Sequence, residues 1–284
     1  MKQQEEGQEV DTTKVTNSVP SSVAQIGITL KYTFLDYLRS RRFFILLGIA
    51  GLIGGLLTIV IGYFRPTGLA SDPLAFYSLW WSLITLFVIV LSGIFFGGDS
   101  ISGEFQSKTG YYTLPNPVRR SSIYIGKWLS AYIASSVILG VSAIIVISNQ
   151  FYYSGYSAFP YQFAEALAFS WVYLAAVLGL TFFFSSVFKS NSISILTSAI
   201  MLLFGFSLIE QIVIGLVKVE PWFVLTYGSS IISNVMSVPY PTTSTNFGAT
   251  SYVATIPEGL AIMFAYFIVS SVLGLVLFER KEFT

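Results

Sequence analysis

The chain alternates between long apolar stretches and shorter polar segments, and this pattern predicts six membrane-spanning helices. A helix needs about 20 mostly apolar residues to cross the hydrocarbon core, because backbone polar groups there must be satisfied within the segment. The stretches that meet this condition are 43–64, 75–97, 123–148, 163–188, 193–217 and 257–278. The fifth is interrupted near its outer end by Glu210 and Gln211. We therefore expect an all-α integral membrane protein.

A further helix is predicted ahead of the first span. Ile26, Leu30, Phe34 and Leu38 recur there at four-residue spacing, with charged residues among them. This periodicity predicts an amphipathic helix over 24–40 that lies along the inner membrane interface. An extension of the first span into the cytoplasm would show the same periodicity, so both arrangements remain open.

Two residue patterns indicate how the spans pack. The first span carries four glycines near one face, Gly48, Gly51, Gly55 and Gly62, which would let another helix approach closely. Trp80 and Trp81 lie near the outer end of the second span, where aromatic residues typically form a belt at the membrane interface. We interpret both patterns as structural rather than as parts of a substrate path.

The composition agrees with lipid as the main solvent of this chain. Of its 284 residues, 54% are hydrophobic and only 10% are charged, whereas about a quarter of an ordinary soluble domain is charged. A net charge of +1 provides no concentrated basic surface for nucleic acid. Cysteine and histidine are absent, which removes disulfides, thiolate and imidazole metal ligands, and histidine bases. Residues 1–22 are polar and predict a disordered cytoplasmic tail, followed by one membrane domain over 23–284.

The distribution of Lys and Arg predicts the orientation in the membrane, because basic residues concentrate in short cytoplasmic loops. With a cytoplasmic N-terminus, only Arg65 and Lys218 of the 15 basic residues lie outside. The inner residues are Lys2, Lys14, Lys31, Arg39, Arg41, Arg42, Lys108, Arg119, Arg120, Lys127, Lys189, Arg280 and Lys281. We therefore expect a multi-pass protein of the plasma membrane with both termini in the cytoplasm.

The inner segment between the second and third spans, 97–127, is unusually structured for a connector. Residues 100–106 can form a short helix, and a break follows at Gly110. Pro115 and Pro117 then prevent helix continuation before the pair Arg119 and Arg120. This pattern predicts a folded element at the cytoplasmic surface.

This segment resembles the hallmark loop of type-2 ATP-binding-cassette (ABC-2) transporter permeases. The family pattern has an acidic residue after the second span, a Glu in a short coupling helix, a Pro-Val-x-Arg turn and a Gly-Lys pair opening the third span. The matching residues are Asp99, Glu104, Pro117, Val118, Arg119, Arg120, Gly126 and Lys127. The family's Gly-Thr pair is inverted here to Thr109 and Gly110. Six spans, an inner N-terminal helix and a long last outer loop agree with the family over almost the whole chain.

The resemblance implies the permease subunit of an exporter, whose cytoplasmic coupling helix docks on a separate ATPase subunit. ATP and Mg would be bound by that partner, with no cofactor in this chain, and a second permease subunit would form a homodimer or heterodimer with it. The residues implied in ATPase coupling are Asp99, Glu104, Gly110, Pro117, Arg119, Arg120 and Lys127. Asp99 and Glu104 could pair with Arg119 or Arg120, meet basic residues of the ATPase, or be solvated.

The chain has no phosphate-binding loop of its own. Gly126 and Lys127 are followed by Trp128 rather than Ser or Thr, and the upstream glycine is missing. We therefore expect no ATP hydrolysis by this chain alone. An ion- or proton-coupled carrier or channel that uses Glu210 is the alternative, and it would need no ATPase. An intramembrane enzyme is disfavoured, because histidine is absent and no paired carboxylates lie at mid-membrane.

The outer side carries a second candidate site. Glu210 lies about 26 Å along the fifth span from Ile193, near the outer edge of the hydrocarbon core, where it could line a water-filled vestibule or simply be solvated. The following segment, 221–238, is too interrupted to span and too apolar for water. It predicts short re-entrant outer helices, in which Trp222, Phe223 and Tyr227 form an outer gate beside Glu210. The alternative is a peripheral hairpin that covers the helix ends.

Overall fold

The computed structural model describes residues 21–64, 73–107, 118–154, 160–246 and 249–281. Among these residues, six helices are long and apolar enough to cross a membrane, as the sequence predicts. Of the predicted tail, 1–22, residues 1–20 lie outside the described residues. Of the predicted coupling residues, Gly110 and Pro117 also lie outside them.

The spanning helices follow the predicted order. They are α2 (Arg41–Phe64), α3 (73–97), α5 (Arg120–Ser154), α6 (Gln162–Val187), α7 (Asn191–Val217) and α10 (Ile256–Arg280). The other helices are α1 (Ser22–Arg39), α4 (Ser102–Gln106), α8 (Leu225–Ser229) and α9 (Ile231–Asn234). Single π-helical turns occur at Val60–Phe64, Thr85–Val90, Met201–Gly205 and Val213–Val217. We call the two ends of the bundle the α4 end and the α8 end, after the short helices that they carry.

The first helix, α1, is separate from the first span. Ser40 has an extended backbone with φ −74° and ψ 144°, and its hydroxyl accepts a hydrogen bond from the Phe43 N–H at 3.4 Å. This serine cap begins α2 and breaks the helical path, so a continuous extension of the first span is wrong. α1 packs beside α5, where a Cβ atom at Gly126 would lie 2.7 Å from Thr29 Cβ. Its predicted position along the membrane interface stays a prediction.

The core lies around α3 and α6, in each of which 56% of the most apolar 18-residue stretch is buried. Near the α8 end, the rings of Tyr77, Trp80 and Trp81 lie 4.9, 6.0 and 5.4 Å from the ring of Phe163 on α6. Both tryptophans are almost completely buried. Their interpretation as part of an interfacial belt is therefore wrong, because α3 turns this face toward α6 rather than toward lipid.

Three spans remain largely uncovered by the rest of the described chain. Only 11% of the most apolar stretch of α7 is buried, 22% of that of α10 and 29% of that of α2. A Cβ atom at Gly48, Gly51 or Gly55 would meet no described atom within 4 Å, so these glycines do not serve helix packing within the described chain. Gly54 does, since a Cβ atom there would clash with Ile145 on α5. Within the described chain, the close approach of another helix to α2 therefore occurs at Gly54, and packing on the predicted glycine face stays a prediction.

The segment between α7 and α10 forms α8 and α9, followed by a β-hairpin. The two helices lie within 221–238, where the sequence predicts short helices, and both pack against spanning helices. A Cβ atom at Gly259 on α10 would lie 2.7 Å from the Gly228 carbonyl, which shows how closely α8 approaches α10. β1 (Thr243–Asn246) pairs antiparallel with β2 (Ala249–Tyr252), a hairpin that the polar, turn-rich sequence did not predict.

Candidate functional site

The candidate site is built on the segment 99–106, which follows α3 and contains α4. The Gly103 N–H donates to the Asp99 carbonyl at 2.8 Å and turns the chain into the short helix. Free N–H groups at a helix start need acceptors, and none comes from the helix's own cap residue, Ile101. Instead the Ser185 hydroxyl on α6 accepts from the N–H groups of Ile101 and Ser102, both at 2.9 Å. A neighbouring span therefore caps α4.

Two ion pairs fix the acidic residues of this segment. Arg42 Nη1 on α2 lies 2.6 Å from Asp99 Oδ2 and donates also to the Phe95 carbonyl at 3.0 Å. Lys127 Nζ on α5 lies 2.5 Å from Glu104 Oε1 and donates to the Ser100 carbonyl at 2.7 Å. The Lys127 and Glu104 side chains are 14% and 16% exposed, whereas Arg42 is 44% exposed. The first pair is therefore screened more strongly by solvent.

These pairs correct an expectation from the sequence. Asp99 and Glu104 pair with Arg42 and Lys127, and not with Arg119 or Arg120. The physical reason is the antiparallel packing of spans, which places the start of α2 and the first turns of α5 beside the end of α3. Arg119 is exposed, and its N–H donates to Gln25 Oε1 at 3.1 Å.

Arg120 binds the C-terminal end of the last span, α10. Its Nη1 atom donates to the carbonyls of Glu279 and Lys281, both at 2.9 Å. These carbonyls lie at the C-terminal end of α10, where the helix leaves acceptors unsatisfied and where a positive charge interacts favourably with the helix dipole. Arg120 therefore joins the start of α5 to the end of α10 at the α4 end.

Neutral contacts complete the support of the segment. The Tyr37 hydroxyl on α1 donates to the Phe96 carbonyl at 3.0 Å and lies 2.8 Å from the Ser100 hydroxyl. Burial raises the pKa of Tyr37, so its hydroxyl stays a neutral donor. At the other end of α4, Gln106 Oε1 accepts from the Asn191 N–H at 2.7 Å, which begins α7.

A polar cleft of about 660 Å³ opens between α1 and α4. Its charged lining residues are Asp36, Asp99, Glu104, Arg42 and Lys127, three acidic and two basic, so these residues carry a net charge of −1. The two basic residues are already ion-paired, and Asp36 is exposed at the edge. The cleft therefore offers a polar, slightly acidic surface beside the short helix.

Several residues of this site were missed by sequence reasoning. Arg42 was counted only as a topology signal, although a basic residue opening one span and an acidic residue closing the next would meet at the same end of antiparallel helices. Ser185 and Asn191 gave no signal, because serine and asparagine are ordinary at helix ends. Tyr37 was not singled out, because it lies outside the apolar positions Ile26, Leu30, Phe34 and Leu38 that predict α1.

The second candidate site, at the α8 end, is only partly assembled. The Thr226 hydroxyl on α8 donates to Glu210 Oε2 on α7 at 2.6 Å. Tyr227 is buried and its hydroxyl donates to the Glu220 carboxylate, and burial together with this bond raises the pKa of Tyr227. Trp222 and Phe223, by contrast, are 66% and 45% exposed. Their part in a gate stays a prediction.

Comparison with known proteins agrees with the resemblance seen in the 97–127 segment. A family model described as ABC-2 family transporter protein matches residues 1–283, which is nearly the whole chain. A search of curated proteins finds no match. The match extends over all six candidate spans as well as the coupling segment. The chain therefore belongs to the ABC-2 family and is a multi-pass membrane component of an ABC transporter.

Proposed function

We propose that this chain is the permease subunit of an ATP-driven exporter, and that a separate ATPase subunit binds ATP and Mg and docks at the α4 end. The observation that carries the proposal is the anchoring of the segment 99–106. Its contacts reach α2 through Arg42, α5 through Lys127 and α6 through Ser185. They reach α7 through Asn191 and α10 through Phe278, whose ring lies 6.4 Å from that of Phe105.

Such anchoring suits the transmission of a displacement. A connector that served only to join two spans would need no bonds to the others, and a loosely held one would absorb the movement of the ATPase. Here a push on α4 is passed to five spans through ion pairs and short hydrogen bonds. Because the Lys127–Glu104 pair is mostly buried, separating its partners costs far more than bending an exposed loop.

The docking surface that we propose is the exposed side of α4 together with the cleft beside α1. Its net charge of −1 favours a partner surface with basic side chains. The alternation of the two ATPase subunits between open and closed states would then move α4 and α1 together. Both elements are bound to each other through Tyr37 and Ser100.

A second permease subunit is supported by the uncovered face of α7. Exposed apolar side chains recur along it at three- and four-residue spacing: Ile193, Leu196, Ile200, Phe204, Leu208, Ile212 and Leu216. Lipid would cover some of this surface, and a second copy of the chain or a related permease would cover the rest and enclose a path. The bare Gly48–Gly51–Gly55 face of α2 offers a further close-approach surface for that partner.

An outer gate is supported by the depth of α8. The Tyr266 hydroxyl donates to the Phe223 carbonyl at 2.8 Å, and Tyr266 lies ten residues inside α10. Ten residues correspond to about 15 Å along a helix, so the segment before α8 lies beside the interior of the span. With the basic residues of the α4 end in the cytoplasm of a plasma-membrane protein, this segment would dip from the outer surface and close the path beside Glu210.

The decisive experiment is purification of the tagged chain with its candidate ATPase, followed by measurement of binding and ATP hydrolysis in lipid vesicles. Asp36→Lys changes the charge of the cleft at an exposed site, and we expect it to weaken ATPase binding by roughly tenfold. Lys31→Glu, a charge change of equal size and opposite sign at an exposed site of α1 outside the cleft, is the control, and we expect it to leave ATPase binding unchanged. Substrate transport without any ATPase would refute the proposal and favour the carrier or channel.

A further inference from the structure

Lys281, just beyond the end of α10, contacts both the end of α6 and the short helix α4. Its Nζ atom donates to the carbonyls of Ser186 at 2.9 Å, Val187 at 3.4 Å and Phe188 at 2.7 Å. These carbonyls close α6, where the helix itself leaves acceptors free. The same Nζ atom lies 4.3 Å from the centre of the Phe105 ring on α4.

The position of Lys281 is itself fixed from two sides. Arg120 on α5 donates to the Lys281 carbonyl, and the Phe105 ring meets the buried Phe278 edge-on, one turn before the end of α10. Phe105 therefore lies between an aromatic ring and an ammonium group, both carried by the end of α10. Edge-on aromatic contact and cation–π contact each favour one orientation of the ring.

We propose that Lys281 is a positioning residue, which locks the coupling helix α4 to the ends of α6 and α10 and thereby sets how much of an ATPase movement reaches these spans. No part of the sequence motif includes Lys281, which the sequence marked only as one of the inner basic residues. The role in coupling rests on the proposed function. The contacts of Lys281 with Phe105 on α4 and with the carbonyls that close α6, which we call the lock, do not rest on it, because they lie within this chain.

The charge state of Lys281 gives the lock a pH dependence with a defined sign. Burial, and then the like charge of Lys189, lower the pKa of Lys281 from 10.5 to about 8. A lysine released into solvent keeps its ordinary pKa, so the locked state gives up its proton first. The locked state is therefore favoured as pH rises above about 8, and it is unaffected by pH below that value.

The charged groups around Lys281 come from several elements. Arg120 on α5 donates to the Lys281 carbonyl, and Glu104 on α4 is ion-paired with Lys127. Glu279 and Arg280 on its own helix are exposed, as is Lys189. The like charge of Lys189 contributes to the lowered pKa of Lys281. A pH response that is lost in Lys281→Ala would therefore report on Lys281.

The test uses a spin label on Ser107→Cys, at the exposed end of α4. The label attaches at this position alone, because the chain has no cysteine of its own. In the purified permease without ATPase, Lys281→Ala should raise the ratio of the mobile to the immobile spectral component of the label by roughly tenfold. Arg280→Ala removes a neighbouring exposed charge and is the matched control. A double substitution with Phe105→Leu should add little to Lys281→Ala, because both remove the same contact.

A pH series gives a readout that a purely structural role would not move. Between about pH 7 and about pH 9.5, the ratio of mobile to immobile component in the parent protein should fall several-fold, after allowance for solvent screening. Lys281→Arg should hold α4 but show no such step, because a guanidinium does not titrate there. Equal spectra for Lys281→Ala and Arg280→Ala, or a pH step that persists in Lys281→Ala, would overturn the proposal.

These measurements separate the lock from the transport function. Reconstituted with the ATPase, Lys281→Ala should lower transport per ATP hydrolysed while leaving ATPase binding unchanged. If no ATPase binds the chain at all, the proposed function fails and the spin-label result stands on its own. If the ATPase binds and the label shows no effect, only the lock is refuted.

Discussion

The two ends of the bundle differ in how their short helices are held. At the α4 end, charged side chains from α2 and α5 reach across to Asp99 and Glu104. The Ser185 hydroxyl of α6, the Asn191 N–H of α7 and the Lys281 ammonium after α10 meet the same segment. At the α8 end, α8 is joined to α7 through the bond between Thr226 and Glu210 and to α10 through close glycine packing. Trp222 and Phe223 there remain exposed.

The difference indicates that the α4 end is rigid and that the α8 end can open. Opposite charges that are partly buried are costly to separate, so the α4 end should move as one body. A neutral hydroxyl that donates to a carboxylate can exchange its partner for water at little cost, so the α8 end can open without unfolding. The exporter that we propose would need both properties, since force would enter at the α4 end and the substrate would leave at the α8 end.

Glu104→Lys tests whether the α4 end is rigid, and we expect it to have the largest effect on stability. The substitution places two ammonium groups where the Lys127–Glu104 pair now lies at 2.5 Å, and it leaves both without compensation. Loss of a mostly buried pair costs about 3–5 kcal/mol, so the chain should unfold at a clearly lower temperature. Thermal unfolding of the purified protein measures this. Ser107→Lys, which adds the same charge at the exposed end of α4, is the control, and equal shifts in both would contradict a rigid α4 end.

Thiol accessibility at the α8 end should show an intermediate effect. In this cysteine-free chain, Trp222→Cys should react rapidly with an impermeant thiol reagent, whereas Tyr227→Cys should react at least about tenfold more slowly because the side chain is buried. If the segment acts as a gate, the rate at position 227 should rise with the nucleotide state of the ATPase. Rapid reaction at both positions in every state would instead identify an exposed loop.

The smallest effect is expected for Thr226→Val, which keeps the shape of the side chain and removes the donor to Glu210. Loss of one such bond costs about 1 kcal/mol, and water in a vestibule would replace part of it. We expect faster thiol reaction at position 227 with unchanged ATPase binding. Ser237→Ala, at an exposed position beyond α9, is the control. Weakened ATPase binding in Thr226→Val would show that the two ends are not independent.

The sequence by itself determined the class of the protein and most of its helices. Six apolar stretches of sufficient length can only be satisfied as helices in lipid, which is why their bounds were predicted closely. The 97–127 motif identified the family, and the short helix predicted within it at 100–106 is observed at Ser102–Gln106. These features are local, since length, apolar content and proline positions do not depend on what packs against them.

Only the tertiary structure decided which side chains meet. Periodicity does not give the rotation of a helix, so the buried pair Trp80 and Trp81 was read as part of an interfacial belt, and Gly54, which packs against α5, was not singled out. Partners across spans are equally invisible, because Arg42 and Asp99 are separated by most of two helices in the chain and by 2.6 Å in space. Lys281 shows the same limit, since its contacts to α4 and α6 exist only once three helix ends have converged.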